Sequence, residues 1–389
     1  MKMLSDHLLP ASGRWWAVTL AATLLALLSL SCLQGTTSSF RGVAGGGQRS
    51  VAGVSNTSAK SSEIAATPTT ATTFVSTPEP TIAPTPTPTI DLQKVKPNEL
   101  GNVPIWEYHI ISPEEESQWS ITPEHFRQNL QKLYNAGYRP ISLHDLLDGH
   151  IDLPAGTSPI VLSFDDSSPG QFRFQEKGGE LVVDPDSAVG ILEAFHAAHP
   201  DFAAKAIFNV LPEAEQPHKL FGQPEYEAEK LRYLVEHGFD IGNHTWWHQR
   251  LDTVDAQEVQ RQLAFAVRSI QQAVPGYQVR SFALPLGLWP EDKSLVFEGS
   301  YEGATYHHDA VLLVGSDPAP SPFNKEYDPH ALPRVQVFAD SLERWLDYLD
   351  QNPDERYVSD GDPNIVTFPQ RLDSQLNQAA LKGKTPRPY

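Results

Sequence analysis

Short apolar segments alternate with amphipathic helical segments from about residue 103 to residue 288 of this 389-residue chain. The run 103–111 is rich in β-branched and aromatic residues, which is typical of a buried strand. After Thr122, an N-cap, a proline at the first helical position and apolar residues spaced i, i+4, i+7 and i+8 predict a helix. Repeated β–α alternation implies an α/β fold with a mainly parallel sheet covered by helices, and such a sheet can close into a barrel.

Polar side chains follow two of the predicted strands. The strand that ends at Phe164 continues into Asp165 and Asp166, and the strand 239–242 leads into His244. The carboxyl ends of strands are where α/β barrels carry their functional groups. Two adjacent carboxylates can have different uses there, because one can bind a metal ion while its neighbour accepts a proton from water.

Two histidines four positions apart, His244 and His248, can reach the same ion from one loop or helical turn. Together with Asp166 they would supply three protein ligands and leave an open coordination position, as a hydrolytic zinc site requires. Each motif alone also has a plainer interpretation, because aspartates often hold turns and exposed histidines need no function. Their joint position at strand ends favours the metal site.

Three motifs then point to a known family by their order and spacing. They are Ser163-Phe-Asp-Asp166, Gly242-Asn-His244-Thr-Trp-Trp-His248 and Phe282-Ala-Leu-Pro285-Leu-Gly287. With the flanking strands, they make the chain resemble the polysaccharide deacetylases, carbohydrate esterase family 4 with a NodB homology domain, over roughly residues 103–340. The Tyr-His pair at 108–109 is similar to one branch of that family. The resemblance implies a distorted (β/α) barrel, here preceded by a disordered linker.

The resemblance also implies residue roles. Asp165 would be the general base, and Asp166, His244 and His248 would bind a divalent metal ion, with Zn2+ preferred. Such an ion lowers the pKa of bound water and polarises an acetyl carbonyl, while a backbone N–H near Ser167 would help to bind the oxyanion. The products would be acetate and a free amino sugar.

Four departures from the family pattern have consequences. Ser167 stands where a glycine usually follows the Asp-Asp pair, and an insertion at roughly 169–185 could reshape the substrate groove or act as a lid. Ala283 stands where some relatives have an arginine, so support for the general base must come from elsewhere. The Leu-x-x-His motif that supplies the general acid in many relatives has no clear counterpart.

His330 is the first candidate for the missing proton donor, with His307, His308 and His109 as alternatives. The predicted substrate contacts are Trp247, Pro285 and Trp289. Aromatic faces can stack on sugar rings, although core packing is the competing interpretation for each tryptophan.

The N-terminal region predicts export. Lys2 and Arg14 precede an uncharged, mostly apolar run at 15–31, as in a signal peptide. Cys32 ends a sequence similar to a lipobox, so lipid anchoring through Cys32 and an ordinary signal peptide or uncleaved anchor are the alternatives. We therefore predict a signal or anchor at 1–32, an extracellular or cell-surface location, and membrane contact only through this segment.

Composition sets the other domain boundaries. Residues 33–97 are mostly Gly, Ser, Thr, Ala and Pro and include a Thr-Pro repeat, which predicts a disordered linker. The catalytic domain is predicted at 98–345. A polar C-terminal extension without assigned function is predicted at 346–389.

Charge and cysteine content limit the partners and the kind of site. The first 97 residues contain seven basic and four acidic residues, so residues 98–389 carry a formal charge of −22. Nucleic acid is therefore a poor partner, and neutral or cationic substrates fit better. A single cysteine excludes a disulfide scaffold and a multi-cysteine metal site within the chain.

The sequence thus predicts a monomeric, metal-dependent hydrolase that removes acetyl groups from an N-acetylated polysaccharide at the cell surface. Poly-N-acetylglucosamine and peptidoglycan are favoured by the Tyr-His pair, and chitin oligomers and O-acetylated xylan stay open. The alternatives are a carbohydrate-binding or scaffold protein with an idle metal site, and an amidase that acts on a small non-sugar substrate.

Overall fold

The alternating segments of the sequence form a parallel sheet flanked by helices. This computed structural model describes residues 90–114, 116–315 and 317–389. The strands are β1 (Ile105–Tyr108), β2 (Ile110–Ile111), β3 (Ser120–Ile121), β4 (Tyr138–Pro140), β5 (Ser158–Asp165), β6 (Phe174–Lys177), β7 (Glu180–Val183), β8 (Ile207–Val210), β9 (Asp240–Asn243), β10 (Ser281–Ala283), β11 (Glu298–Tyr301), β12 (Ala304–His307), β13 (Ala310–Leu312), β14 (Val335–Gln336), β15 (Ile365–Phe368) and β16 (Thr385–Pro388). The α-helices are α1 (Leu92–Val95), α2 (Pro123–Asn135), α3 (Leu143–Asp148), α4 (Ala188–Ala198), α5 (Glu227–Glu236), α6 (Ala256–Ala273) and α7 (Ser341–Gln351).

The predicted signal segment at 1–32 and most of the predicted linker at 33–97 lie outside the described residues. The end of that linker is placed too late in the sequence-based prediction, because α1 forms within it, capped by the side chain of Asp91. Within the described ranges, no helix has the length and apolar character that a membrane span requires.

The main sheet is parallel and curled. Its strand order is β13-β10-β9-β8-β5-β1-β14, and β4 pairs with the first half of β5. Every neighbouring pair in this order is parallel. A further parallel bridge joins Leu312 in β13 to Leu332, just before β14, so the sheet curls back towards its first edge. The predicted distorted (β/α) barrel is confirmed.

Strand alternation separates two cores. Along β1, Trp106 and Tyr108 pack in the larger hydrophobic cluster with residues of the surrounding helices, whereas Ile105 packs in a second cluster with Val161 and Ile207 of neighbouring strands. Because successive strand side chains point to opposite faces of a sheet, this second cluster fills the inside of the barrel. Residues on the same inner face but nearer the carboxyl ends of the strands are polar.

The helices cover the outer face as the sequence predicts. In α2, Thr122 is the N-cap, and its Oγ1 accepts the N–H of His125 at 3.1 Å. In α6, the apolar residues spaced i, i+4, i+8 and i+11 are all buried: Val259, Leu263, Val267 and Ile270. The insertion at 169–185 folds into the antiparallel hairpin β6–β7.

The C-terminal segment belongs to the same compact unit as the barrel. The boundary predicted after residue 345 falls inside α7, and beyond it Val358 forms a bridge with Asn98. Tyr357 and Phe368 are buried in the cluster that fills the inside of the barrel. The predicted separate extension is therefore corrected: a few buried aromatic side chains anchor a segment whose overall composition is polar.

Candidate active site

The carboxyl ends of β5 and β9 bring the first two motifs together. Asp166 follows β5 and His244 follows β9 directly. The Oδ1 atom of Asp166 lies 3.2 Å from Nε2 of His244 and 3.4 Å from Nε2 of His248. The three side chains form a group whose ligand atoms all lie within 4.8 Å of one another, so they could hold one metal ion.

The hydrogen bonding of His244 fits a cation at this place. Its Nδ1 lies 2.9 Å from the carbonyl oxygen of Ala283. Since a carbonyl only accepts, Nδ1 carries the hydrogen and the lone pair of Nε2 faces Asp166. Among the described residues, the buried Oδ1 of Asp166 has no hydrogen-bond partner. Two acceptors that face each other need a cation between them, and one carboxylate with two imidazoles is a donor set that suits zinc or a similar divalent ion.

The turns that carry these ligands have unusual backbone angles. Asp166, Ser167, Thr245 and His248 all have positive φ, at 76°, 51°, 72° and 66°. This left-handed region costs an L-residue roughly 1–2 kcal/mol, and such conformations concentrate at functional sites. Side chains hold the turns in place: Ser167 Oγ accepts the N–H of Leu211 at 2.9 Å. A glycine, which is usual at this position in the family, would adopt the left-handed conformation of Ser167 without this cost.

Asp165 is buried and fixed by three donors. Arg334 donates from Nη1 to Oδ1 and from Nη2 to Oδ2, each at 2.8 Å. Asn209 donates from Nδ2 to Oδ1 at 2.7 Å. Burial alone would raise the pKa of Asp165, but the charges of Arg334 and His244 and the hydrogen bonds from Arg334 together outweigh it and hold the pKa well below the usual range. The carboxylate is therefore ionised and its orientation is fixed.

Arg334 supplies the support that Ala283 cannot give. It is fully buried immediately before β14, and it also donates to Oε1 of Glu107 and to the carbonyl of Leu313. The sequence-based analysis assigned it no role. Its position beside Val335 and Val337, whose β-branched side chains favour a strand, was the available signal. Arg280 lies close to the third motif in the sequence, but it pairs with Asp148 and Asp309.

Glu107, His109 and Asp165 form a second group with closely spaced ligand atoms. The guanidinium of Arg334 lies between the two carboxylates of this group and donates to both. A positive side chain already occupies that place, so this group does not fit a metal ion. His109 Nε2 lies 3.8 Å from Glu107 Oε1, and the side chain of His109 is 10% exposed.

Two open spaces meet over the Asp166–His244–His248 cluster. The narrower one, which we call the apolar cavity, has a volume of about 270 Å³ and is lined by His109, Trp119, Asp165, Asp166, His244, His248, Leu284, Leu286 and Val314. The wider one, which we call the acidic cleft, has a volume of about 760 Å³ and is lined by Asp166, Leu211, Glu213, Ala214, Glu215, His218, Trp247 and His248. No residue of the hairpin insertion lines either space.

The structure does not place His330 at the site. His330 is exposed in the short 3-10 helix Pro329–Ala331, its ring centre lies 4.3 Å from that of Phe297, and it lines neither space. His308 is buried with Nδ1 against the carbonyl of Val296, and His307 is exposed. Of the four predicted donors, only His109 reaches the apolar cavity.

The predicted substrate contacts divide in a similar way. Trp247 lines the acidic cleft. Pro285 is buried between two cavity residues without lining the cavity itself. Trp289 packs against the larger hydrophobic cluster, which favours the core-packing interpretation for this tryptophan.

The site combines an ionised, buried aspartate with a cluster of one carboxylate and two histidines. All of these side chains lie at the strand ends of a (β/α) barrel, an arrangement that is typical of hydrolases with this fold. The family model described as polysaccharide deacetylase matches residues 190–298, a segment that contains His244, His248 and Pro285. This match confirms the predicted resemblance to the polysaccharide deacetylases for this segment of the chain. Asp165 and Asp166 lie before the matched segment, and membership of the Tyr-His branch stays a prediction.

Proteins of known name are similar to part of this chain. A chitooligosaccharide deacetylase from Sinorhizobium fredii is 32% identical over 89 residues, which are 22% of this chain and 41% of that protein. One from a Bradyrhizobium species is 30% identical over 94 residues, 23% of this chain and 43% of that protein. The chain thus spans less than half the length of these relatives. The solved structure of the Streptococcus pyogenes deacetylase PplD in complex with acetate is 19% identical, with a TM-score of 0.46, over 63% of this chain and 97% of that one.

Proposed function

We propose that this protein is a metal-dependent deacetylase that removes acetyl groups from an N-acetylated glycan. The observation that carries the proposal is Asp165, a buried carboxylate that Arg334 keeps ionised beside the cluster of Asp166 and the two histidines. The family match and the names of the relatives support the same activity.

The apolar cavity suits an acetyl group. Leu284, Leu286 and Val314 supply aliphatic walls near the Asp166 cluster, and Trp119 forms part of the rim with 41% of its surface exposed. Contacts with aliphatic side chains favour the acetyl methyl, and an exposed indole can contact the face of a sugar ring. The acetamide would then lie with its carbonyl carbon near Asp165.

Asp166, His244 and His248 would hold the metal ion. When bound, the ion supplies Lewis acidity, which lowers the pKa of water and polarises the acetyl carbonyl. Asp165 accepts the proton of the attacking water, and Arg334 keeps its oxygens in a fixed orientation during this transfer. Burial and the neighbouring His244 hold the pKa of His248 down to about 4, so its nitrogen is available to a metal at neutral pH.

His109 is the proton donor in this proposal, in place of His330. Its ring lies against Trp119, with ring centres 4.9 Å apart, and faces Glu107 across 3.8 Å. His109 then gives its proton to the departing amine as the carbon–nitrogen bond breaks, while the water oxygen joins the acetyl carbon. The products are acetate and a free amino sugar.

The finer parts of the proposal rest on the sequence. Zn2+ is the preferred ion because of the mixed oxygen and nitrogen ligands. The proposed location is extracellular or at the cell surface, with attachment through the N-terminal segment or a lipid on Cys32, and the proposed state is a monomer. The Tyr-His pair supports poly-N-acetylglucosamine or peptidoglycan as substrate, and the names of the relatives add chitin-like oligomers.

The test is acetate release from oligomers of N-acetylglucosamine by the zinc-loaded protein. We expect release by the native protein and none by Asp165→Asn, with equal metal content in both proteins by elemental analysis. The variant keeps the shape of the side chain, so loss of activity with metal retained assigns the base. If the metal-loaded native protein releases no acetate from any acetylated glycan, the carbohydrate-binding alternative is favoured.

A further inference from the structure

The two spaces that meet at the active site differ in chemistry. The apolar cavity presents aliphatic side chains around the reacting group. The acidic cleft shares Asp166 and His248 with it but presents the carboxylates of Glu213 and Glu215. A glycan that places one acetylated unit in the apolar cavity would therefore place a neighbouring unit beside carboxylates.

The charge of the acidic cleft is only partly compensated. Glu213 Oε2 lies 2.9 Å from Nζ of Lys219. Among the described residues, Glu215 has no cationic side chain within ion-pair distance, and neither Lys nor Arg lines the cleft. Both glutamates are exposed, so their carboxylates are accessible to a ligand.

The loop that carries these glutamates is tied to the catalytic motifs. The N–H of Glu213 donates to the carbonyl of Trp246 at 2.7 Å, and His218 Nδ1 lies 3.2 Å from the carbonyl oxygen of Asp166. At the end of the loop, the N–H of Phe221 donates to the carbonyl of Ser167 at 3.0 Å. The cleft is therefore a fixed surface whose position relative to the metal ligands is defined.

The loop is also held from behind. The Nζ atom of Lys230 is buried beneath the loop and donates to the carbonyl of Phe221 at 3.0 Å. Leu220, Phe221 and Gly222 have consecutive positive φ values of 40°, 68° and 71°. A buried donor that satisfies a carbonyl in such a strained stretch stabilises one conformation of the loop.

We propose that the acidic cleft binds a sugar unit that already carries a free amine, so that the protein prefers partly deacetylated chains. The inference rests on the proposed deacetylase function. A free amino sugar is cationic when protonated, whereas its acetylated form is neutral, and only the cation gains from Glu215. The formal charge of −22 on residues 98–389 acts in the same direction on a cationic chain.

The test compares three tetrasaccharides. One is fully N-acetylated, one has a free amine on the unit next to an acetylated unit, and one has a hydroxyl in place of that amine. The hydroxyl compound separates the effect of charge from that of removing the bulky acetyl group. In mildly acidic buffer we expect kcat/KM to be about two- to fivefold higher for the amine than for the hydroxyl compound, as for an exposed ion pair. High salt should reduce the difference.

Variants assign the preference to the cleft. We expect Glu215→Gln to bring the ratio of kcat/KM for the amine and hydroxyl compounds close to one, and Glu213→Gln to lower it less, because Lys219 already pairs with Glu213. Glu236→Gln is the matched control: this exposed glutamate ends α5, lines neither space, and should leave the ratio unchanged.

Equal kcat/KM values for the amine and hydroxyl compounds with the native protein would overturn the inference and leave the deacetylase proposal standing. A preference that survives in the double variant of Glu213 and Glu215 would also overturn it. If no compound releases acetate, the deacetylase proposal fails, and calorimetric titration decides the inference. Tighter binding of a glucosamine tetramer than of its N-acetylated form, weakened by Glu215→Gln, supports the acidic cleft, and equal binding refutes it.

Discussion

Two buried groups, each of two carboxylates and one arginine, lie in different parts of this molecule, and the pKa is lowered for Asp165 in the first and raised for Glu99 in the second. The first, the Arg334 cluster, consists of Glu107, Asp165 and Arg334 at the active site. The second, the Arg387 cluster, consists of Glu99, Asp360 and Arg387, where the C-terminal segment joins the barrel.

The position of the arginine makes the difference. Arg334 is completely buried and donates to both carboxylates of its cluster, so Asp165 stays ionised. Arg387 is one-third exposed and reaches Asp360, whereas Glu99 accepts backbone N–H groups from Asp360 and Thr367.

The consequence appears in the pKa of Glu99. Burial, followed by the repulsion from Asp360, raises it from 4.5 to about 8, so Glu99 is protonated at neutral pH. The buried carboxylate that Arg334 pairs through both oxygens is thus ionised, and the buried carboxylate that no arginine reaches is protonated. Glu107, which accepts a single N–H from Arg334, also has a raised pKa, because burial is the stronger influence there.

The difference in role between the two clusters is tested most directly by neutralising one aspartate in each. Asp165→Asn should lower kcat for acetate release by about two to four orders of magnitude, the range for a lost general base. Asp360→Asn should leave kcat unchanged, because Asp360 lies in the structural cluster. A fall in kcat of similar size in Asp360→Asn, measured in a correctly folded protein, would contradict the separation of roles.

Replacing each arginine by methionine compares their contributions to stability. Arg334→Met leaves two buried carboxylates without a cation, which should lower the free energy of unfolding by about 3–5 kcal/mol. Arg387→Met removes a partly exposed pair and should cost about 1 kcal/mol. Urea denaturation measures both, and equal losses would show that the burial of the arginine does not decide its contribution.

The assignment of the proton donor can also be tested at the Arg334 cluster, since His109 faces Glu107 of that cluster. His109→Gln should lower kcat by about a hundredfold, as expected for a lost general acid, with little change in metal content. His330→Gln should have the activity of the native protein, because this side chain is exposed and lines neither space. The opposite result in assays of acetate release would restore His330 as the donor.

The last comparison concerns pH and Glu99, and it changes stability and not kcat. Since the pKa of Glu99 is raised in the folded protein, its contribution to stability is fully present below pH 4.5 and is lost as pH rises towards about 8. The loss between pH 5 and pH 8 should be roughly 3–4 kcal/mol, because each unit of pKa shift corresponds to about 1.4 kcal/mol. Urea denaturation at pH 5 and pH 8 should show it in the native protein and in Glu236→Gln. The decrease should be much smaller in Glu99→Gln, and an unchanged decrease would assign the pH dependence to other groups.

Local sequence was sufficient to predict the groups that lie on the strand ends. The pair Asp165-Asp166 follows an apolar run, and His244 lies two positions after the predicted strand 239–242, so the parallel barrel and the meeting of the motifs could be predicted together. The grouping of the three metal-cluster side chains could be predicted as well, because two short turns position all of them.

Partners from distant segments could not be predicted in the same way. Arg334 lies 169 positions after Asp165, and nothing in its immediate sequence indicates what it contacts. His109 was only an alternative to His330, because the choice depends on which histidine reaches the cavity. The C-terminal segment was misjudged for a related reason, since Tyr357 and Phe368 are isolated apolar residues whose burial depends on tertiary packing.

The closure of the barrel has a consequence for how activity arises during folding. Arg334 enters the site from the last barrel strand, where Leu312 and Leu332 join the two edges of the sheet. A chain in which this strand has not yet paired has Asp165 without its cation, and contacts of such long sequence separation form slowly. The protein therefore becomes active only at the end of folding. The time course of acetate release during refolding would report when the final strand pairs with the sheet.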